Sequence, residues 1–163
     1  MALRQIEPTK VTVNNCNFYI TPFPAFKAAN LSGELASTLA PLLGAIAPLI
    51  EDSDLMDVDV NNAAKAMMNC SAINGDRVEV LMKKLLLGGH IVVEIQNENG
   101  EIEPQRLDMD MANEIFCGEI QDMFVLCFYV IKLNFNSFFK KIVDLYGKAK
   151  QKEGTAKEPR KIL

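Results

Sequence analysis

Ala112–Lys141, ANEIFCGEIQDMFVLCFYVIKLNFNSFFKK, decides the reading of this chain. Phe124, Phe128, Ile131, Phe135, Phe138, Ile142 and Leu145 follow one another at spacings of four and three. That rhythm puts all seven on one stripe of an α-helix. The nine consecutive apolar residues Met123–Ile131 make the middle of the helix apolar on every face, so it is buried on all sides by its own domain or by other chains. Eight of the twelve aromatic residues lie between Phe116 and Tyr146, which puts this helix at the domain centre. Nothing in the stretch is arranged for covalent chemistry; it points to packing and association.

Outward from it, the pattern alternates between short strands and helices. Val11–Val13 and Phe18–Thr21, separated by Asn14-Asn15, read as a hairpin. Pro22 and Pro24 end it and suit the first turn of a helix. From Ala25 the apolar spacing turns helical, and Gly33, Pro41 and Pro48 predict two or three helical pieces. Asn61–Ile73 reads as a short helix with Ala63, Ala64, Met67 and Met68 inward. Arg77–Leu87 is a second, with Val78, Leu81, Met82 and Leu85 inward, stopped by Gly88-Gly89. Ile91–Ile95 alternates as a strand, Asn97–Gly100 is a turn, and a return strand begins at Ile102, before Pro104. The two hairpins are candidates to join in one small sheet. Asp108 or Asp110 caps a long helical region running to about Tyr146.

The expected fold is therefore mainly α with a small β component (α+β). A single helical domain over residues 1–147 carries hairpins at 10–21 and 91–107 and ends in a long helical region; residues 148–163 form a basic, flexible tail. At 163 residues and 49% apolar content, the chain fits one domain with a sizeable core.

Charge is unevenly placed. Residues 148–163 carry six bases against two acids, whereas residues 1–147 carry eleven bases against nineteen acids, or −8. An acidic body offers no electrostatic footprint for nucleic acid. Leu35–Ile50 is uncharged, but its 16 residues fall short of the roughly 20 that a bilayer asks for, and two prolines interrupt it. It reads as a buried helix or an association surface. Cys16, Cys70, Cys117 and Cys127 are dispersed, and MALRQIEPTK lacks the apolar core of a signal peptide. Reduced, mostly buried thiols and a cytoplasmic location are expected.

Candidate chemistry is thin. Glu51–Asp59 is acidic, but counted from Asp52 an EF-hand loop would have Asp57 where it needs glycine and Ala63 where it needs glutamate, so it reads as a loop whose aspartates cap the next helix. His90, the single histidine, has no nominated nucleophile or orienting carboxylate and reads as a loop or strand-edge residue. One histidine and four remote cysteines make no zinc site. LLLGGHI matches no phosphate-binding loop. No catalytic residue, metal or cofactor is expected.

Ile20–Leu49, ITPFPAFKAANLSGELASTLAPLLGAIAPL, and Ala112–Lys141 resemble the tail assembly chaperones of tailed bacteriophages, of the kind found in phages and prophages of Gram-positive hosts. The order of segments fits as well: a PFPAFKAAN start, an acidic LMDVDV connection, a middle helical pair, then NEIFCG, QDMF, VIKLNF and FFKK. The likeness covers most of residues 10–147.

The resemblance implies a non-enzymatic protein. It would coat the helical tape measure protein in the cytoplasm of the bacterial host, be displaced as tube protein polymerises, and be absent from the mature virion. It also implies a homo-oligomer, and the tail tube protein as a further partner through a longer frameshifted product. A structural tail-associated protein retained in the virion is the alternative. Residues expected at the protein-binding surface are Leu35, Leu39, Leu42, Leu43, Ile46 and Leu49, with Phe135, Phe138 and Phe139.

Overall fold

The computed structural model describes residues 6–50, 59–69 and 74–136, with the backbone alone for residues 39–50 and Met67. Strands β1 (Thr9–Val13) and β2 (Cys16–Ile20) form an antiparallel hairpin. Its loop, Asn14-Asn15, has φ of 50° and 60°. Two successive left-handed residues make a type I′ turn, whose twist matches that of the strands, and asparagine tolerates that region better than most residues. The Asn14 side-chain amide also donates to the Ile115 carbonyl at 3.0 Å.

Strands β3 (Ile91–Gln96) and β4 (Ile102–Arg106) form the second hairpin. Asn97 organises its turn by accepting from the amides of Asn99 and Glu101 at 3.0 and 2.9 Å. β4 begins at Ile102 as expected and runs straight through Pro104. It is an edge strand, where a missing N–H need break no ladder bond.

Phe18 pairs with Val93 and Ile20 with Ile91, which joins the hairpins into one antiparallel sheet in the order β1-β2-β3-β4. This corrects the expectation of a mainly α domain with one or two β-hairpins. The fold is α+β, and the sheet is a full layer. The reason lies in the alternation: Phe18, Ile20, Ile91 and Val93 are all turned inward and almost wholly buried, so β2 and β3 together form the floor of the core.

Helix α1 (Ala25–Ile50) is one continuous element of 26 residues, where two or three pieces were expected. Each proline removes only one N–H from the ladder, and the surrounding leucines and alanines are strong helix formers. The Pro24 carbonyl accepts its first bond, from the Ala28 amide at 3.0 Å.

Helix α2 (Val60–Met68) is capped by Asp59, whose carboxylate accepts from the Asn61 amide at 2.9 Å. It buries Ala63 and Ala64, while Met68 points outward and is exposed. The remainder of the expected helix, with Cys70, and most of the acidic connection lie outside the described residues. Helix α3 (Gly75–Leu86) is capped by Asn74 and buries Leu81, Met82, Leu85 and Leu86.

Helix α4 (Met109–Ile115) is capped by Asp108, which accepts from the Met111 amide at 2.8 Å. The long C-terminal helical region is not continuous. A turn at residues 116–118 separates α4 from α5 (residues 120–136), and Gly118 there has φ of 77°, a conformation that ends helices.

Within α5, Val125, Leu126, Cys127, Phe128, Val130, Ile131 and Phe135 are buried, so the chain itself covers this apolar run. Phe116 reaches across to stack on Phe18 with ring centroids 6.0 Å apart. Helical side chains thus cover one face of the sheet. The other face carries Lys10, Thr12, Asn17, Tyr19 and Glu94.

Candidate functional site

The break at Gly118 creates a feature that a continuous helix would lack. α4 and the first turns of α5 lie alongside α3, and the three bound an apolar groove of about 430 Å³. Its walls are Val78, Met82 and Leu86 from α3, Met109 and Ala112 from α4, and Ile120, Met123 and Phe124 from α5. Met109 is 45% and Ile120 47% exposed, so the groove is open to solvent. Three methionines give it a lining that re-packs to fit an apolar visitor.

Polar groups are few. Glu79 and Lys83 pair with each other, which holds the Glu79 carboxyl below its ordinary range and leaves little to orient a small polar molecule. Asn113 is a third polar lining residue. Between Arg106 and Lys132 the chain carries Asp108, Asp110, Glu114, Glu119 and Asp122 and no base, whereas α3 carries Arg77, Lys83 and Lys84. A groove with apolar walls, adaptable methionines and no convergent polar groups is suited to the apolar stripe of a helix, not to a reacting substrate.

His90 lies between α3 and β3, against Phe23, and both ring nitrogens are buried without hydrogen-bond partners. Burial, and then the nearby Lys27 ammonium, hold its pKa down at about 4, so the ring is neutral at physiological pH. Among the described residues, no nucleophile or carboxylate engages it. On the open face of the sheet, Glu94 accepts from Asn17 Nδ2 at 2.8 Å and from the Tyr19 hydroxyl at 2.7 Å. Those two bonds hold the Glu94 carboxyl low, and the carboxylate in turn raises Tyr19. This is a strand-pairing network with every member partnered. Burial pushes the Cys127 thiol far up, which makes it inert. Among the described residues there is no cluster able to hold a metal ion, and no described helix is long and apolar enough to cross a membrane.

Leu35 and Phe135, expected at the association surface, are buried in the chain's own core. Leu39, Leu42, Leu43, Ile46 and Leu49 follow on α1, and their side chains lie outside the described residues, as do Phe138 and Phe139. Of the groove residues, Met82 and Met123 were expected as core, and Met109 and Ile120 were not singled out by sequence. The signal that could have found them is Gly118, a glycine inside an otherwise helical pattern, whose φ of 77° turns the chain between α4 and α5.

Comparison with the curated proteins and with the solved structures gave no match. The family model described as phage tail assembly chaperone protein, TAC, matches residues 14–147. That span runs from the first hairpin turn past the end of the described part of α5 and takes in every residue lining the groove. The chain belongs to the phage tail assembly chaperone family.

Proposed function

We propose that this chaperone acts without catalysis, by covering the apolar helical surface of the tape measure protein while the tail is built. The observation that carries the reading is the open, methionine-lined groove between α3, α4 and α5. A long helical protein held apart from its final partners exposes apolar stripes that aggregate, and one such stripe laid into the groove removes it from water. The apolar half of α1, with Leu39, Leu42, Leu43, Ile46 and Leu49, extends the contact along the client. Growth of the tube then strips the chaperone away, so it works in the host cytoplasm and is left out of the particle. An acidic body limits association with unintended partners.

Co-expression with the tape measure protein of the same phage tests this. The client should be soluble and co-purify with the chaperone, and both effects should be lost in Ile120→Glu. Mass analysis of purified virions should find no chaperone. A client that stays soluble alone, or a stoichiometric copy of this chain in the finished tail, overturns the reading, the latter in favour of a structural tail-associated protein.

A further inference from the structure

The two edges of the sheet differ in what they offer another strand. Backbone groups along a strand turn alternately to one side and the other. The Leu107 amide donates to the Ile91 carbonyl at 2.9 Å and the Asn97 amide to the Glu101 carbonyl at 2.8 Å. In that phase Glu103 and Gln105 of β4 bond β3, and the backbones of Ile102, Pro104 and Arg106 face outward. Pro104 therefore removes the central donor of the β4 edge, a device that blocks pairing there.

The β1 edge carries no such block. The Thr21 amide donates to the His90 carbonyl at 2.9 Å, so Tyr19 bonds β3 while Phe18 and Ile20 bond their β1 partners, Val11 and Thr9. That leaves the N–H and C=O of Lys10 and Thr12 directed out of the sheet edge. Among the described residues no strand pairs with them. The Lys10 side chain leaves the approach clear, since its ammonium lies over the Tyr19 ring, 5.8 Å from the centroid.

We infer that β1 pairs antiparallel with β1 of a second copy, Val11 against Val11. Of the twofold registers, this one alone uses every outward donor: Lys10 of each copy meets Thr12 of the other. A contact centred on Lys10 sets like charges opposite each other and Thr12 against Pro8, which has no N–H. One centred on Thr12 runs Lys10 against the left-handed Asn14 of the turn. Opposed side chains share a face, so the half-buried Val11 pair closes over and the two helical layers stand side by side on one continuous sheet. The contact is independent of the groove, because a helical client does not fill a strand edge.

Sedimentation equilibrium of the full chain should show the mass rising from one copy toward two with concentration. Thr12→Pro, which removes an outward N–H as Pro104 does on β4, should abolish the rise with far-ultraviolet circular dichroism unchanged. A single-copy mass at every concentration overturns the inference, whether the edge is empty or covered by the chain's own remaining residues. Association that survives in folded Thr12→Pro also overturns it. Should Thr12→Pro fail to fold, cysteine cross-linking decides. Opposed residues that exchange no hydrogen bond stand about 4.5 Å apart at Cα, within disulfide reach, whereas the two copies of Thr9 would stand about 14 Å apart. Mild oxidation should therefore link Val11→Cys to itself, located by peptide mass, and leave Thr9→Cys unlinked at that position. Linkage of both variants, or of neither, overturns the inference.

Discussion

Asn134 on α5 ties down the entry to α1 by accepting a hydrogen bond from the Phe23 amide at 2.7 Å, while its own amide donates to the Val130 carbonyl at 2.8 Å. One side chain thus satisfies a backbone donor 111 residues away, just before α1 begins. Asn134→Leu removes the acceptor and leaves the partly buried Phe23 N–H without a partner. A loss of about 1–3 kcal/mol in unfolding free energy is expected, read by urea denaturation. A loss below a few tenths would show that water replaces the bond.

His90 predicts an acid-sensitive stability. The fold depresses its pKa from 6.5 to about 4, so between those values the unfolded chain binds the proton and the folded one does not. The His90 contribution is fully present above about pH 6.5 and declines as the pH falls toward 4. Urea midpoints measured across that range should fall for the wild type and fall less for His90→Leu. Parallel curves for the two proteins would refute the assignment.

Two glycines should respond with opposite sign. Gly33 lies in the interior of α1, exposed, with nothing within 4 Å of where a methyl group would stand, so Gly33→Ala should stabilise by about 0.5–1 kcal/mol. Gly118 also has open space, but its φ is 77°, so Gly118→Ala should cost about 1–2 kcal/mol. Thermal melting of the two variants side by side checks both, and a stabilised Gly118→Ala would show that α4 and α5 do not need this turn.

The sheet network predicts a titration change. The Glu94 carboxylate raises the Tyr19 phenol above 10 by accepting its hydrogen bond and by opposing the phenolate charge. Glu94→Gln should bring Tyr19 back toward 10, as followed by NMR of its ring protons. An unmoved titration would mean that the pair is open in solution.

Much of the architecture is legible in the residues. Asn14-Asn15 announces its turn because few other residues adopt two left-handed conformations in succession. The capping roles of Asp59, Asn74 and Asp108 follow from side chains that accept from the next turn's amides. Two readings failed for identifiable reasons. Pro41 and Pro48 suggest breaks because local rules weigh one lost bond, whereas the helix is held by its other residues. Gly118 passes unnoticed because the apolar spacing around it resumes almost in phase, although its φ changes the direction of the chain. The groove depends on that change of direction, so it was invisible for the same reason. Leu35 and Phe135 could not be assigned from periodicity alone, since a stripe has the same spacing whether its own domain or another chain covers it.

Ile20 and Ile91 are register partners although 71 positions separate them, and three described helices are threaded between. Each hairpin is a local event, but their union must wait for the intervening length to be synthesised. At about 5–20 residues per second, that delay is roughly 4–14 seconds on the ribosome. Throughout it the nascent first hairpin presents Phe18 and Ile20 beside an unfilled strand edge. A protein that shields another's greasy surface during assembly therefore begins life with the same exposure, and slowing translation within the three-helix insertion should lower its own yield.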